Sequence, residues 1–410
     1  MKKIIFFVLF VFFQILILNS YDWEINFNIL GKFIFLVVYE IIIIAALIFL
    51  YFKFAIILNI TIIILLFLNL LWSPVNFGNL ITLEKNILYN VQIVGDVMPG
   101  FYGTKKISTD EKGFRTTKKI NYNDNKNFRI FTIGGSTTEE IYLDDKETWS
   151  SLIEYKINNN YSNINSEVIN TGVSGLRAVN HIKTQEYVSK LNPNLMIFML
   201  GVNDWNNHIK FGEGQEFRIG LFPNIGNTLL VKVSKLFFNI YKKKFSKNNE
   251  LINKTVLQNG EYYSLQNNSL TRFDKRKLSI KSVSKNYQSA IEIITNNCKD
   301  KKYKCMFVNQ PNAYSKKISN KLKKLLWMTP PDEKYTLDLE SLNKIAKVYN
   351  NWIIDFGMKN EIAVCDLTHA TEPNTNFFYD DVHFNENGSK VIAEEIFQCI
   401  KKNNLILNFD

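Results

Sequence analysis

A short β-rich run that ends in two glycines and delivers a serine is the feature that most constrains this chain. The run Phe128–Ile133 breaks at Gly134-Gly135 and continues into Ser136–Glu140. Glycines permit a tight turn and a close backbone approach, and the start of a helix offers free N–H groups to a negative charge. The pattern predicts either a reactive hydroxyl held at the carboxyl end of a strand or an ordinary strand–helix turn capped by Ser136 or Thr137.

Strand-like and helix-like segments alternate after this point, which indicates a parallel sheet with helices on both faces. Five strands are expected near residues 128–133, 166–170, 194–200, 304–309 and 361–366. Helices are expected near residues 147–158, 177–190, 283–298, 338–357 and 388–402. We therefore predict a three-layer α/β/α domain of flavodoxin-like type over residues 128–410, with ligands bound beyond the carboxyl ends of the strands.

The stretch 206–282 is too long for a simple connection, so we predict an insertion there. Within it, Asn227–Lys244 places apolar residues near helical spacing among several lysines. Such a helix could lie on a membrane surface or over the active site, or it could pack on the domain as an ordinary helix. The sequence leaves these alternatives open.

The N-terminal region is dominated by Ile, Leu, Phe and Val. Three apolar runs, about 4–19, 33–52 and 54–72, approach the length of a bilayer span. Because no small-residue cleavage site follows the first run, we predict three transmembrane helices instead of a cleaved leader. Residues 1–74 would then form a membrane anchor, and residues 75–127 would connect it to the α/β domain.

Charge asymmetry predicts the orientation of this anchor. Lysines at positions 2, 3 and 53 lie at the ends of the predicted spans that would face the cytoplasm. Asp22 and Glu24 lie at the opposite end of the first span. By the positive-inside rule the α/β domain faces away from the cytoplasm. The formal net charge of +11 suits anionic partners such as lipid headgroups or acidic polysaccharide. Nucleic acid is disfavoured as a partner by the predicted location.

Four short blocks carry polar residues just after predicted strands. They are Ser136, Asn170–Gly175, Gly201–Asp204 and Asp380–Asn385. In this order, Ser, Gly, Asn and Asp-x-x-His resemble the SGNH (GDSL-type) hydrolase family. The resemblance covers roughly Phe128–Ile400. The usual Gly-Asp-Ser of the family is Gly-Gly-Ser here, a variant that resembles membrane-tethered members.

The resemblance implies acyl transfer through a serine nucleophile. Ser136 would attack the ester, His383 would take its proton, and Asp380 would orient the histidine. The oxyanion would be bound by the backbone N–H groups of Ser136 and Gly175 and by the side-chain amide of Asn203. No cofactor and no metal are expected.

Other polar residues receive less specific expectations. His181 is expected to serve a surface or packing role, and His208 and His369 follow strand ends and could line the pocket. Asp204 is expected to hold its loop, and Asp381 to face solvent.

Four cysteines form no metal-like cluster. Cys298 and Cys305 flank a short helix-to-strand link, so in an oxidising location they are expected to pair. Cys365 on the last strand and Cys399 on the last helix could be neighbours or simply core residues, and isolated buried cysteines are the expectation.

The sequence thus predicts a membrane-anchored, extracytoplasmic serine esterase that acts on acyl, in particular acetyl, esters of a cell-envelope glycan or lipid. Two alternatives remain open. An O-acyltransferase with the same triad would need a membrane partner protein, because three spans are too few for a complete acyl-donor transporter. A membrane-anchored binding or scaffold protein with an inactive site is the other.

Overall fold

The computed structural model describes residues 80–93, 98–211, 254–257, 280–300, 303–326 and 337–406. All of them belong to one compact unit, Asn79–Phe217 together with Ile252–Asp410. A second unit, Met1–Gly78 with Arg218–Leu251, lies outside the described residues.

The predicted membrane spans and the predicted helix Asn227–Lys244 also lie outside the described residues. Within the part of the chain that the structure describes, no helix has both the length and the apolar sequence that a bilayer crossing requires.

The described strands are, in chain order, β1 (Leu88–Ile93), β2 (Gly103–Ser108), β3 (Phe128–Gly134), β4 (Ser166–Asn170), β5 (Leu195–Met199), β6 (Lys254–Leu257), β7 (Lys304–Val308) and β8 (Ala363–Cys365). The described helices are α1 (Ser136–Glu139), α2 (Trp149–Asn160), α3 (Ala178–Val188), α4 (Val202–Phe211), α5 (Lys285–Lys299), α6 (Asn320–Lys323), α7 (Leu339–Lys359) and α8 (Glu386–Lys402).

The predicted five-stranded parallel sheet is confirmed, and its strand order is β4-β3-β5-β7-β8. Strands β3, β4 and β5 are buried along their whole length, as expected where helices cover both faces of a parallel sheet. The chain leaves β3 towards β4 on one side and reaches β5 on the other. Their carboxyl ends therefore flank a crevice at the point where the strand order reverses, which is where ligands bind in such sheets.

Helices cover both faces of the sheet. Strand residue Met306 belongs to a hydrophobic cluster that includes Ile153 of α2 and Ile396 of α8. The next strand residue, Phe307, points to the opposite face because side chains alternate along a strand. There it meets α7 at Gly357, where an added Cβ would lie 3.3 Å from the Phe307 ring. The architecture is therefore α/β/α, as predicted.

A second, three-stranded sheet differs from the prediction that residues 75–127 only connect two domains. Its order is β2-β1-β6, with β1 antiparallel to β2 and parallel to β6. In β1, the apolar residues Tyr89, Val91 and Ile93 alternate with Asn90 and Gln92, which is a strand signal that the prediction overlooked. In β2, by contrast, one of the two buried positions is a lysine, Lys105, and this obscures the alternation. Within the predicted connecting segment, Phe114 and Arg115 are only 1% and 2% exposed, so this segment packs into the domain.

Two disulfides stabilise the main domain. The predicted bond between Cys298 and Cys305 is confirmed, with Cα atoms 6.0 Å apart. The expectation of isolated cysteines at positions 365 and 399 is wrong, because they are bonded with Cα atoms 5.6 Å apart. The helix α8 packs against β8 and thereby places Cys399 over Cys365, an arrangement that local sequence spacing does not reveal.

Candidate active site

The loop that follows the central strand β3 presents Ser136. Gly135 precedes α1 as its N-terminal cap, and Ser136 is the first residue of the helix. An added Cβ on Gly135 would lie 2.6 Å from Nδ2 of Asn203, so the close approach of these two segments requires a glycine at this position. The serine hydroxyl is therefore held at the carboxyl end of the sheet.

A loop near the C-terminus brings a histidine and a carboxylate to this serine. The loop is closed by a bridge between Phe378 and Phe384, both buried. His383 Nε2 lies 2.7 Å from Ser136 Oγ, and His383 Nδ1 lies 2.7 Å from Asp380 Oδ2. These are short hydrogen bonds, so the three side chains form one connected chain from carboxylate to hydroxyl.

Asp380 also shapes the loop that carries it. Its Oδ1 accepts the N–H groups of Val382 at 3.0 Å and His383 at 2.9 Å. The other oxygen, Oδ2, is left for the imidazole. One side chain thus fixes both the backbone of the loop and the orientation of the His383 ring.

Burial and mutual attraction act in opposite directions on this pair. Burial lowers the pKa of His383, but the Asp380 carboxylate offsets this, and the net pKa is raised above the ordinary value. Burial raises the pKa of Asp380, but the attraction of His383 and the hydrogen bonds from two backbone N–H groups together lower it by more. The net pKa of Asp380 therefore lies below its ordinary value. Asp380 therefore stays ionised, and a neutral His383 can accept a proton on Nε2 while its Nδ1–H donates to Asp380.

Candidate hydrogen-bond donors follow β4 and β5, the two strands that flank β3 in the sheet. Gly175 has a φ of +80°, a backbone conformation that favours glycine. Asn203 lies in the first turn of α4, and its Nδ2 donates one hydrogen to the Leu176 carbonyl at 2.8 Å. Its second amide hydrogen remains for a ligand. Among the described residues, the N–H groups of Ser136 and Gly175 make no hydrogen bond to another protein group.

An aromatic wall lines the narrow gap beside Ser136 and His383. Phe101, from the loop between β1 and β2, packs edge-to-face against Tyr142 and Tyr379. The Tyr379 ring stacks on His383 with centroids 5.5 Å apart. The loop between β1 and β2 thus contributes to the site, although no sequence motif marks Phe101 as a site residue.

The remaining histidines do not contact Ser136. His181 is buried in α3, and burial lowers its pKa to about 3, so it packs as a neutral side chain. His208 Nδ1 lies 3.0 Å from the Tyr349 hydroxyl. His369 is exposed. Its neighbour Asp366 repeats the Asp-x-x-His spacing, but the Asp366 carboxylate accepts hydrogen bonds from Thr368 and Asn309.

Two further carboxylates, Asp204 and Asp381, differ in whether the structure agrees with the sequence-based prediction. Asp204 accepts the Ala178 N–H at the start of α3 and so holds its loop. Burial raises its pKa to about 7. Asp381, expected to face solvent, is fully buried. The reason is that its backbone carbonyl accepts the N–H of Ala313, which draws this part of the loop inward.

Glu139 and Arg115 support the site and were missed as supporting residues. Glu139 Oε2 accepts the N–H and the hydroxyl of Ser174, each at 2.6 Å. Arg115 donates to the carbonyls of Glu139 and Glu140. It also forms a buried ion pair with Asp145. Neither contact has a signal in the sequence, since the partners are distant along the chain.

Three comparisons with known proteins bear on the family. The model of the GDSL-like lipase/acylhydrolase family matches residues 132–391, more than half of the chain. No curated protein sequence matches the chain.

Among solved structures, an acetylxylan esterase from Geobacillus stearothermophilus is similar at 11% identity and a TM-score of 0.37, covering 68% of this chain and 96% of that one. A putative lipolytic protein of the G-D-S-L family from Desulfitobacterium hafniense DCB-2 has 11% identity and a TM-score of 0.35, covering 67% and 99%. An α/β hydrolase enzyme from the metagenome of Lake Arreo has 12% identity and a TM-score of 0.35, covering 68% and 98%.

These structural likenesses are too distant to carry an argument about substrate. The family model, by contrast, matches the sequence itself. The match begins in the strand that leads to Ser136, ends in the helix after His383 and includes all four polar blocks. This chain belongs to the GDSL-like lipase/acylhydrolase family and is a serine ester hydrolase.

Proposed function

We propose that this chain is a membrane-anchored, extracytoplasmic esterase that removes short acyl groups, in particular acetyl, from a cell-envelope glycan or lipid. The observation that carries the catalytic part is the continuous contact from Asp380 through His383 to Ser136. This contact disfavours the alternative of an inactive binding protein, because a site under no catalytic constraint has no need to keep three groups within hydrogen-bond reach.

In the proposed reaction, Ser136 Oγ attacks the ester carbonyl carbon while its proton passes to His383 Nε2. The carbonyl oxygen becomes an oxyanion, which accepts hydrogen bonds from the N–H groups of Ser136 and Gly175 and from the amide of Asn203. His383 then returns the proton to the leaving alcohol as the C–O bond breaks. A water molecule attacks the acyl-serine by the same steps, with His383 again as the base, and releases the acid.

The preference for a short acyl group rests on the wall formed by Phe101, Tyr142 and Tyr379, which leaves only a narrow gap beside the serine. The extracytoplasmic location is supported by two disulfides, since such bonds persist in oxidising compartments. The membrane anchor rests on the three apolar runs of the N-terminal sequence. An acyl transfer to a sugar hydroxyl would use the same serine and the same steps, with the sugar in place of water.

The test of the catalytic proposal is turnover of p-nitrophenyl acetate by the full-length chain. Ser136→Ala should lower kcat by several orders of magnitude, His383→Ala nearly as much, and the double variant little more than either single one, because triad members act as a unit. If a folded Ser136→Ala protein retains its activity, the catalytic proposal fails. Adding a glycan acceptor and following labelled acetyl separates transfer from hydrolysis.

The location needs its own experiment. A reporter that is active only in the cytoplasm, fused after Asp410, should be silent, and a reporter that is active only outside should give signal. Strong cytoplasmic activity would overturn the proposed orientation without affecting the catalytic proposal.

A further inference from the structure

A buried carboxylate on the nucleophile helix is bonded to the loop that carries one of the oxyanion donors. Glu139 is 3% exposed. Its Oε2 accepts both the backbone N–H and the hydroxyl of Ser174, each at 2.6 Å. Hydrogen bonds to a charged oxygen are stronger than neutral ones, and Ser174 immediately precedes Gly175. The contact therefore joins α1 to the loop after β4 at the residue next to the donor.

The loop is also fixed on the other side of Gly175. The carbonyl of Leu176 accepts the side-chain amide of Asn203 at 2.8 Å. Gly175 thus lies between one residue bonded to α1 and one residue bonded to α4. An added Cβ on Gly175 would meet no atom within 4 Å, so no side chain packs on that face of the residue. The loop is held instead by hydrogen bonds, including those from the Leu176 N–H to the Val173 carbonyl and from the Val173 N–H to the Gly134 carbonyl.

Glu139 can act as a rigid support because α1 is itself held. The Arg115 guanidinium donates to the Glu139 carbonyl at 2.6 Å, and the Asn170 side chain donates to the Thr138 carbonyl at 2.5 Å. Gly172 packs directly on the backbone of Glu139, where an added Cβ would lie 2.3 Å from its nitrogen. The helix of the serine and the loop of the oxyanion donor are therefore joined by several short contacts, and among these the contact of Glu139 with Ser174 lies next to Gly175.

We propose that Glu139 is a positioning residue, which through Ser174 aims the Gly175 N–H at the oxyanion that forms on Ser136. The inference rests on the proposed function. A donor that points at the developing charge before the reaction contributes more than one that must reorient. Loss of the support leaves the donor in place but misaimed, and a displacement of about 1 Å in a catalytic group can cost up to about 10²-fold in rate.

The experiment compares Glu139→Ala, Ser174→Ala and the double variant, all in the full-length chain. Each is assayed for kcat/KM with p-nitrophenyl acetate and for the Ki of phenylboronic acid, whose tetrahedral adduct with a serine imitates the transition state. Glu139→Ala should lower kcat/KM by about 10- to 100-fold and raise Ki by the same factor. Ser174→Ala, which keeps the backbone N–H contact, should have a smaller effect. The double variant should be no worse than Glu139→Ala.

Glu167→Gln is the matched control. Glu167 is a buried carboxylate at the start of β4, the strand whose other end leads to Gly175, and it pairs with Arg129. The substitution should lower the free energy of unfolding in urea without changing the Ki. If Glu139→Ala and Ser174→Ala both leave Ki at the Glu167→Gln value, Glu139 supports the fold only and the proposal is wrong. If Ser136→Ala is fully active, the proposed function fails instead.

Discussion

Asp380→Asn should be far more damaging than an isosteric change usually is, and the contacts of Asp380 explain why. Its Oδ1 accepts two backbone N–H groups, from Val382 and His383. In the variant the amide oxygen must stay there, because an NH₂ group cannot accept those bonds. The NH₂ group then faces His383 Nδ1 and donates to it. The ring proton is forced onto Nε2, which can no longer accept the proton of Ser136.

The expected loss of kcat/KM follows from the free energy needed to form the His383 tautomer whose Nε2 can accept a proton. To restore the working tautomer, the amide must flip and leave two buried N–H groups without an acceptor. Each such group costs about 1–3 kcal/mol, so the productive form lies about 2–6 kcal/mol higher. At about 1.4 kcal/mol per factor of ten, kcat/KM should fall by between about 30-fold and about 10⁴-fold.

The assay is kcat/KM for p-nitrophenyl acetate at a pH where His383 is neutral. Asp381→Asn is the matched control, because Asp381 is a buried carboxylate in the same loop, whereas the carboxylate that is hydrogen-bonded to His383 Nδ1 belongs to Asp380. The control should stay close to the unchanged protein. Equal activity of Asp380→Asn and Asp381→Asn would refute the tautomer argument.

Three further outcomes are expected. The Asp380 carboxylate raises the pKa of His383 above the ordinary value of about 6.5. Because only the neutral ring accepts a proton, kcat/KM should fall with decreasing pH, with a midpoint above that value. The pH profile of kcat/KM measures this midpoint. Asn203→Ala should lower kcat by about 10²–10³ as a lost oxyanion donor, and an unchanged kcat would remove Asn203 from the proposed mechanism. Replacing both Cys365 and Cys399 by Ala opens a loop of 34 residues and should lower the free energy of unfolding by about 4 kcal/mol, by loop entropy. Removing the Cys298–Cys305 bond, which closes a loop of 7 residues, should lower it by only about 2 kcal/mol. Urea titrations that rank the two pairs in reverse order would contradict this expectation.

The sequence alone determined the architecture of the main domain. Buried parallel strands are short apolar runs, and helices between them follow their own period, so both are encoded locally. The carboxyl ends of parallel strands meet at one edge of a sheet. Polar blocks after successive strands could therefore be expected to converge, and Ser136, Gly175 and Asn203 do follow β3, β4 and β5.

The three-stranded sheet β2-β1-β6 was not predicted from the sequence. Strand β1 alternates apolar and polar residues, but β2 places a lysine at a buried position, and β6 is separated from both by more than 100 residues. The pairing of β6 with β1 depends on hydrogen bonds between distant segments, which no local pattern encodes. The contribution of Phe101 to the gap beside Ser136 was hidden for the same reason.

Local spacing does not choose between Asp366–His369 and Asp380–His383, and it was the family resemblance that favoured the second pair. The tertiary structure supplies the physical reason: a bridge between Phe378 and Phe384 closes the loop that brings His383 to Ser136. Burial of Asp381 and the contact of Glu139 with Ser174, 35 residues away, follow from the same packing. Local spacing determines which face of an element a side chain occupies, whereas its partner across space depends on how the elements pack.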